Sequence, residues 1–381
     1  MRTGPAAADA YGGGVTGGAD RTERALAAVL ERVAVTRAEV GDRFPLFADP
    51  LTGRWTTTGR GSWTGGFWAG LLWLRARHTG SADDRAAASA CTARLADWAE
   101  ADTATRGLIF WYGTALASCD AGASELRVRA AKAALAALDP ELGLVPWGSA
   151  LGGPRLLARA DAVPGMVPLL ATAGPEGAAA AHSHLHRHLD LCLGDGRLIP
   201  AWRYDAADAA EAAGETAGWR PCDEPPSGWS RGRAWLLLAV ADALHSPGPC
   251  RWEERRRLES AGRQLAATGH LASLVPPADE AVPDGPLDTS AAAITAVALL
   301  KLARRPGPWA AEYQHRGEAI LHRLISVHLS GHGEGRPSGM LLDGCYDAGR
   351  GTAVRHELIW GDFFLALGLA ALTGLVDIRD E

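Results

Sequence analysis

The amino-acid sequence predicts an all-α protein built as an (α/α)6 toroid. Helical periodicity runs through nearly the whole chain, and strand signals are almost absent. The helical segments are of two kinds that alternate six times, and the long connections all follow the same kind. At 381 residues the chain is long for one compact core, and a closed helical ring is one of the few architectures that uses such a length as one unit.

The amphipathic, charged kind covers about 22–41, 82–102, 122–138, 175–193, 250–271 and 307–330. The other kind is apolar almost all round and covers about 65–79, 107–119, 161–173, 231–245, 288–304 and 360–375, with runs such as GGFWAGLLWL, AWLLLAVADAL and GDFFLALGLAAL. A helix apolar on every face must be buried on every face, whereas an amphipathic one keeps a side in water. Six buried helices inside six exposed ones make a toroid; an open α-solenoid would not bury one helix of each pair so completely. Residues 1–20, rich in Gly and Ala, are expected to form a disordered tail, and 21–381 a single toroid domain.

Inner-to-outer connections are short: Gly80-Ser81, Asp120-Ala121, Gly174 and Arg305-Pro306. Outer-to-inner connections are mostly long: 42–64, 139–160, 194–230, 272–287 and 331–359. The long loops therefore emerge at one rim, where the inner helices begin, and long loops on a rigid scaffold commonly carry function. Six helix N-termini also direct partial positive charge into that mouth, which suits an anionic ligand.

Composition narrows the classes of partner. A formal net charge of −6 leaves no basic excess for nucleic acid or an anionic membrane. The apolar runs are too short or too interrupted by charge to span a bilayer, and no secretory h-region is visible, so a cytoplasmic protein is expected. Cys91, Cys119, Cys192, Cys222, Cys250 and Cys345 are widely spaced, as in a protein with reduced thiols. No phosphate-binding loop or dinucleotide fingerprint is present. His182, His184, His186 and His188 contain two i, i+4 pairs, but on an outer helix they are expected to lie on a solvated face rather than to hold a metal.

The first residues of each inner helix form the candidate site. They are Trp63-Thr64-Gly65-Gly66, Thr105-Arg106-Gly107, Arg159-Ala160-Asp161, Gly228-Trp229-Ser230-Arg231-Gly232, Asp288-Thr289-Ser290 and Trp360-Gly361-Asp362, joined by Trp147 and Trp202 from the long loops. Aromatic plates, an Arg and a few carboxylates around a funnel suit a sugar acid: rings stack on sugar faces, Arg forks a carboxylate, and an Asp handles a proton. Asp288 also reads as a helix cap, and Asp362 as a group bonding across the barrel. Trp68 and Trp73 are expected in the core, with Trp63 facing the funnel.

Five segments in order resemble glycoside hydrolase family 88 and its sister family 105: SWTGGFWAGLLWL, RADAVPGMVPLL, GWSRGRAW with its W-x-R-G-x-x-W pattern, PLDTSAAAITAVALLKLA, and LLDGCYDAG with LIWGDFFLALGLAAL. The likeness spans about Arg43 to Leu375. It implies an unsaturated glucuronyl hydrolase that hydrates the C4=C5 bond of a 4-deoxy-4,5-unsaturated uronic acid, without metal or organic cofactor. A protonated Asp delivers the C4 proton, water adds at C5, and the hemiketal opens to release the partner sugar. By this resemblance Asp161 is the general acid/base, and Arg231, Trp235 and Trp147 hold a substrate bearing a carboxylate. Trp63, Trp202 and Arg106 complete the expected binding set.

The chain departs from the family pattern at two points. The family's second Asp lies in an H-D-L-G-F motif, aligned here with Thr105-Arg106-Gly107-Leu108-Ile109, and a sugar-contacting His is replaced by Trp202. Arg106 is then expected beside Asp161, favouring its ionised form and weakening hydrolysis. Two alternatives stand beside the hydrolase reading: a repurposed enzyme of specialised metabolism catalysing an isomerisation, cyclisation or dehydration, which the lost Asp and His favour, and a non-catalytic sugar-binding relative.

Overall fold

A computed structural model of the protein describes residues 14–194, 197–209, 214, 217–246, 252–267 and 274–379, without the side chains of 14–17 and 252. The outer helices are α1 (Gly14–Val40), α3 (Ala82–Ala93), α5 (Ala121–Ala136), α7 (Pro175–Leu193), α10 (Trp252–Ala266) and α12 (Ala310–Arg323). The inner ones are α2 (Gly65–Thr79), α4 (Tyr112–Thr114) with the π-helical stretch Gly107–Trp111 before it, α6 (Met166–Ala171), α9 (Ser230–His245), α11 (Thr289–Ala303) and α13 (Ile359–Leu372). A short α8 (Ala206–Ala209) lies in a loop.

The inner helices close a ring. α2 packs on α4, the π-helical stretch on α6, α6 on α9, α9 on α11, α11 on α13, and α13 back on α2. This closure excludes the solenoid and makes the fold an (α/α)6 toroid. In α11, Ala291, Ala292, Ala293, Ile294, Ala296, Val297 and Ala298 are all buried, as a helix enclosed on every side requires. The outer helices carry one polar face; in α12 Gly317, Ile320 and Leu321 are buried while most of the remaining residues keep contact with water.

Several elements differ from expectation. The segment 161–173 is not one helix: Ala160–Ala162 forms a 3-10 turn, and α6 begins only at Met166, behind Gly165 in a left-handed conformation (φ 68°). The segment 107–119 has only a π-helical stretch and one short α-helical turn, and the segment 82–102 ends as helix at Ala93, followed by the 3-10 turn Ala96–Trp98. α1 starts at Gly14, inside the stretch expected as a tail; residues 1–13, and parts of 250–271, lie outside the described residues.

The long loops are not structureless. They carry β1 (Phe44–Ala48), β2 (Trp55–Thr58), β3 (Leu157–Arg159), β4 (Ala201–Tyr204), β5 (Trp219–Pro221), β6 (Gly344–Asp347) and β7 (Thr352–Leu358). These form an antiparallel sheet in the order β2-β1-β7-β6 and a second in the order β3-β4-β5. Strands of three to seven residues are too short to raise a period-2 signal above the surrounding turns. The two sheets brace the rim from which the candidate side chains project.

Candidate active site

Asp161 lies in the 3-10 turn and caps no helix. Both its carboxylate oxygens accept hydrogen bonds from Arg159, Nε to Oδ1 at 3.0 Å and Nη2 to Oδ2 at 3.1 Å. The side chains are 24% and 18% exposed, so the ion pair sits in the mouth and is reached by solvent. Arg159 ends β3, whose register opposes it to Ala201 of β4. Its guanidinium carbon lies 4.5 Å from the Trp147 ring centre, a cation–π contact. Trp147 is itself fixed by backbone bonds, donating to the Leu157 carbonyl (3.0 Å) and accepting from Ala104 N–H (3.0 Å). Burial works against the charge on Arg159, but Asp161 outweighs it and holds the guanidinium above its ordinary value.

The turn carrying Asp161 is held from two sides. Gly107 lies against the Pro164–Met166 backbone, where an added Cβ would come within 2.2 Å of the Met166 nitrogen; a Cβ at Gly165 would come within 2.5 Å of the Gly107 oxygen. Only glycines allow this approach. From α7, His184 Nδ1 accepts Val145 N–H (3.1 Å), so its proton is on Nε2, which donates to the Ala162 carbonyl (3.2 Å). His188 Nδ1 donates to the His184 carbonyl at 2.7 Å, leaving its buried Nε2 without a protein partner, in the field of Asp161.

This corrects the expectation of a solvated histidine face. His184, His186 and His188 are buried, and only His182 is substantially exposed. Burial lowers His184 well below the usual histidine value and brings His186 and His188 to about 4, so all three rings are neutral at pH 7. Small residues earlier in α7 let the helix pack close, turning the histidines under the loops.

A second group forms the opposite side. Trp63 packs on Trp360 with ring centres 4.9 Å apart and on Tyr346 at 6.2 Å; Tyr346 and Trp360 are 5.4 Å apart. Phe47 and His356 extend this aromatic wall along the four-stranded sheet. Trp63 is partly buried against this wall, while Trp68 and Trp73 are core. Tyr346 also acts on the charge of Arg159, as does Cys222 just beyond β5, which links the wall to the Asp161 side.

Arg231 lies beneath the wall, between Trp229 (5.3 Å) and Trp360 (5.5 Å). Its Nη1 donates to Asp288 and to the Cys345 carbonyl (2.6 Å), and its Nη2 to the Tyr346 carbonyl (2.7 Å). The side chain is 4% exposed and that of Asp288 fully buried. Asp288 also caps α11, accepting from Ser290 N–H at 3.1 Å and Ala291 N–H at 3.4 Å. Arg231 thus anchors the β6 backbone to α9 and α11, and three of its five N–H donors are already engaged.

Three further residues sit elsewhere than expected. Trp235 is 1% exposed and stacks on Phe67 (6.2 Å, 15°) inside the barrel, because a position five residues into an inner helix lies below the rim. Arg106 does not reach Asp161: its guanidinium turns back to the Ala99 carbonyl (2.9 Å) and the Thr103 carbonyl (3.2 Å), and the carboxylates that act on it are Asp102 and Glu100. The cation beside Asp161 is Arg159. Trp202 pairs with Ala158, so strand alternation directs it to the sheet face opposite Arg159, over a small cluster of Leu142, Leu144, Leu191 and Trp219. Arg159 opens the Arg159-Ala160-Asp161 stretch but is absent from the expected binding set; the turn after β3 folds Asp161 back onto it. Tyr346 is announced by nothing local, since it arrives from the far end of the chain.

Among the described residues no three His, Cys, Asp or Glu side chains gather as metal ligands. No family model matches the chain. It is 26% identical over 378 residues to an unsaturated glucuronyl hydrolase of Bacillus sp. (strain GL1), covering 92% of this chain and 96% of that protein. Two solved structures superpose on it closely. An unsaturated glucuronyl hydrolase specific for heparin gives a TM-score of 0.79 at 17% identity, over 94% of this chain and 99% of that one. A variant from Streptococcus agalactiae complexed with dGlcA-GalNAc6S gives 0.67 at 18% identity, over 93% and 92%. Over nearly its whole length, then, the chain is similar to an unsaturated glucuronyl hydrolase and shares the fold of the solved structures of such enzymes.

Proposed function

We propose that the protein is an unsaturated uronyl hydrolase acting on a carbohydrate that ends in a 4,5-unsaturated uronic acid. Asp161 delivers a proton to C4, water adds its oxygen to C5 and loses a proton, and the resulting hemiketal opens and releases the partner sugar. The observation that carries this reading is a partly exposed carboxylate, Asp161, in the mouth of the toroid beside a guanidinium stacked on Trp147. Trp63 and Tyr346 supply the aromatic surface for a sugar ring. The core position of Trp235 and the back-face position of Trp202 assign them to supporting these groups. Cytoplasmic residence belongs to the same proposal and rests on the unpaired thiols among the described residues, where no helix is long and apolar enough to cross a membrane.

Gly107 also bears on the missing second carboxylate. Because only glycine fits there, matching the glycine of an H-D-L-G-F motif to Gly107 puts Thr105 rather than Arg106 at the Asp position. The Thr105 hydroxyl is buried, 2.9 Å from that of Thr103. With Arg106 turned away, its expected effect on Asp161 falls away, while the lost Asp and His that favoured a repurposed enzyme are still absent from this sequence.

The test is loss of the unsaturated uronate absorbance on adding an unsaturated disaccharide. Wild-type protein is expected to turn it over, and Asp161→Asn to lose roughly 10²–10⁴-fold in kcat, the range for a general acid. The melting temperature should hold within a few degrees, since Asp161 caps nothing. Full activity in the variant, or a folded wild type inert on all such disaccharides, overturns the proposal.

A further inference from the structure

Two arginines at the rim could meet a substrate carboxylate, and the structure treats them differently. Arg231 is the one the sequence signature points to, but it is 4% exposed and its donors hold Asp288 and the backbone of Cys345 and Tyr346. A carboxylate arriving there would have to displace a buried ion pair and two carbonyls that tie β6 to the barrel. The hydrogen bonds of Arg159 to a side chain among the described residues go to Asp161, through the Nε–Nη2 edge that binds carboxylates side-on.

We propose that Arg159 is the receptor for the carboxylate of the sugar acid, and that the incoming substrate takes the guanidinium over from Asp161. The inference rests on the uronyl-hydrolase reading and names how that site recognises its substrate. In the resting arrangement both Asp161 oxygens accept from Arg159, so the carboxylate can take up a proton from the solvent that reaches it, and then present it to an alkene, only once the pair opens. Exchange of one carboxylate for another on the same fork replaces the lost ion pair with an equivalent one and leaves Asp161 beside the ring. Trp147 keeps the guanidinium in place during the exchange, its ring 4.5 Å from Cζ. The two residues are separated only by Ala160, and their side chains are reached by solvent, so side-chain rotation suffices. Tyr346 lies close enough to act on Arg159, and through it the carboxylate end of the sugar is joined to the Trp63–Trp360 wall.

The experiment compares wild type, Arg159→Met and Arg159→Lys on an unsaturated disaccharide and on its uronate methyl ester, with KM and kcat measured separately and folding checked by melting temperature. Wild type should favour the acid over the ester by roughly 30-fold or more in kcat/KM, since only the acid both takes the fork and frees Asp161. Arg159→Met should erase that preference by raising KM for the acid alone, with kcat changed less than tenfold. Arg159→Lys, which keeps the charge without the fork, should fall between. A folded Arg159→Met that retains the wild-type preference overturns the assignment while the hydrolase reading stands. So does a wild type that handles acid and ester alike, a result that needs no variant to fold. A wild type inert on both substrates removes the hydrolase reading and this inference together.

Discussion

At the scale of single residues, the same type of side chain has three different roles around one mouth. Arg159 stands partly exposed on Asp161, Arg231 is buried in a structural clamp, and Arg106 is folded back on its own turn. What separates them is the partner each finds, since their local sequences all read as polar residues entering an inner helix. The position of Arg106 gives a prediction. Arg106→Asp, alone or with Thr105→His, should not strengthen hydrolysis, because the new carboxylate would face the Ala99 and Thr103 carbonyls rather than the substrate. Burying an uncompensated charge there should cost about 3–5 kcal/mol, read as a lower denaturation midpoint. An increase in kcat/KM in the double variant would show that this position does reach the reacting centre.

At the scale of elements, α7 is the least conventional outer helix. Its inward face holds His184 and His188, which brace the Asp161 turn, and His186 close to His182, Arg257 and Glu254. Buried rings lowered to about 4 stay neutral in the folded state, while the unfolded chain takes up protons near its ordinary value of about 6.5. The unfolded state therefore binds more protons between these values, and the stability that these rings contribute above about pH 6.5 is lost as pH falls through about 4. Thermal melting between pH 7.5 and 4.5 should show this decline, worth up to about 3 kcal/mol per ring. His188→Gln, which cannot take up a proton, should flatten it; an unchanged pH slope in that variant would remove His188 from the effect. Acidic inactivation should accompany it, since His184 holds the Ala162 carbonyl next to Asp161.

At the scale of the whole molecule, the ring is closed by a buried charge cluster joining its two ends. Arg32 of α1 donates to Glu357 of β7 through Nε (3.1 Å) and Nη2 (2.8 Å), and also to the Gly53 carbonyl (2.8 Å). Asp362, one turn into α13, shares a hydrogen bond with Glu357; burial first, then the neighbouring Glu357 charge, pushes it well above the ordinary aspartate range. One cation thus serves two buried carboxyl groups, one of them holding a proton. Arg32→Met should destabilise the fold by about 3–5 kcal/mol, because the buried Glu357 carboxylate would lose the cation that pairs with it. The measurement is the urea midpoint at pH 7, where a shift below about 1 kcal/mol would mean that the ring closes on apolar packing alone. Asp362, with its folded value raised, contributes stability at low pH that is lost as pH rises through that value, so the variant should be weakest on the alkaline side.

The order of outer and inner helices and the places of the long loops were legible in the sequence by itself, whereas Asp161 as a candidate acid came from the family resemblance and belongs to the proposed function. Helix order and loop places rest on information carried locally: an apolar run with no polar face can only be buried, and a long polar loop can only lie at the surface. α2 and α7 match their expected limits for that reason. The tertiary structure alone decided which cation meets Asp161, which face Trp202 takes, how deep Trp235 lies and whether the α7 histidines see water. These depend on strand pairings and helix approaches between residues remote in sequence, such as Ala158 with Trp202 and Gly107 with Gly165. A guanidinium on a flexible stem reaches several ångströms in any direction, so its spacing along the chain says where it starts and only the packed neighbours say where it ends.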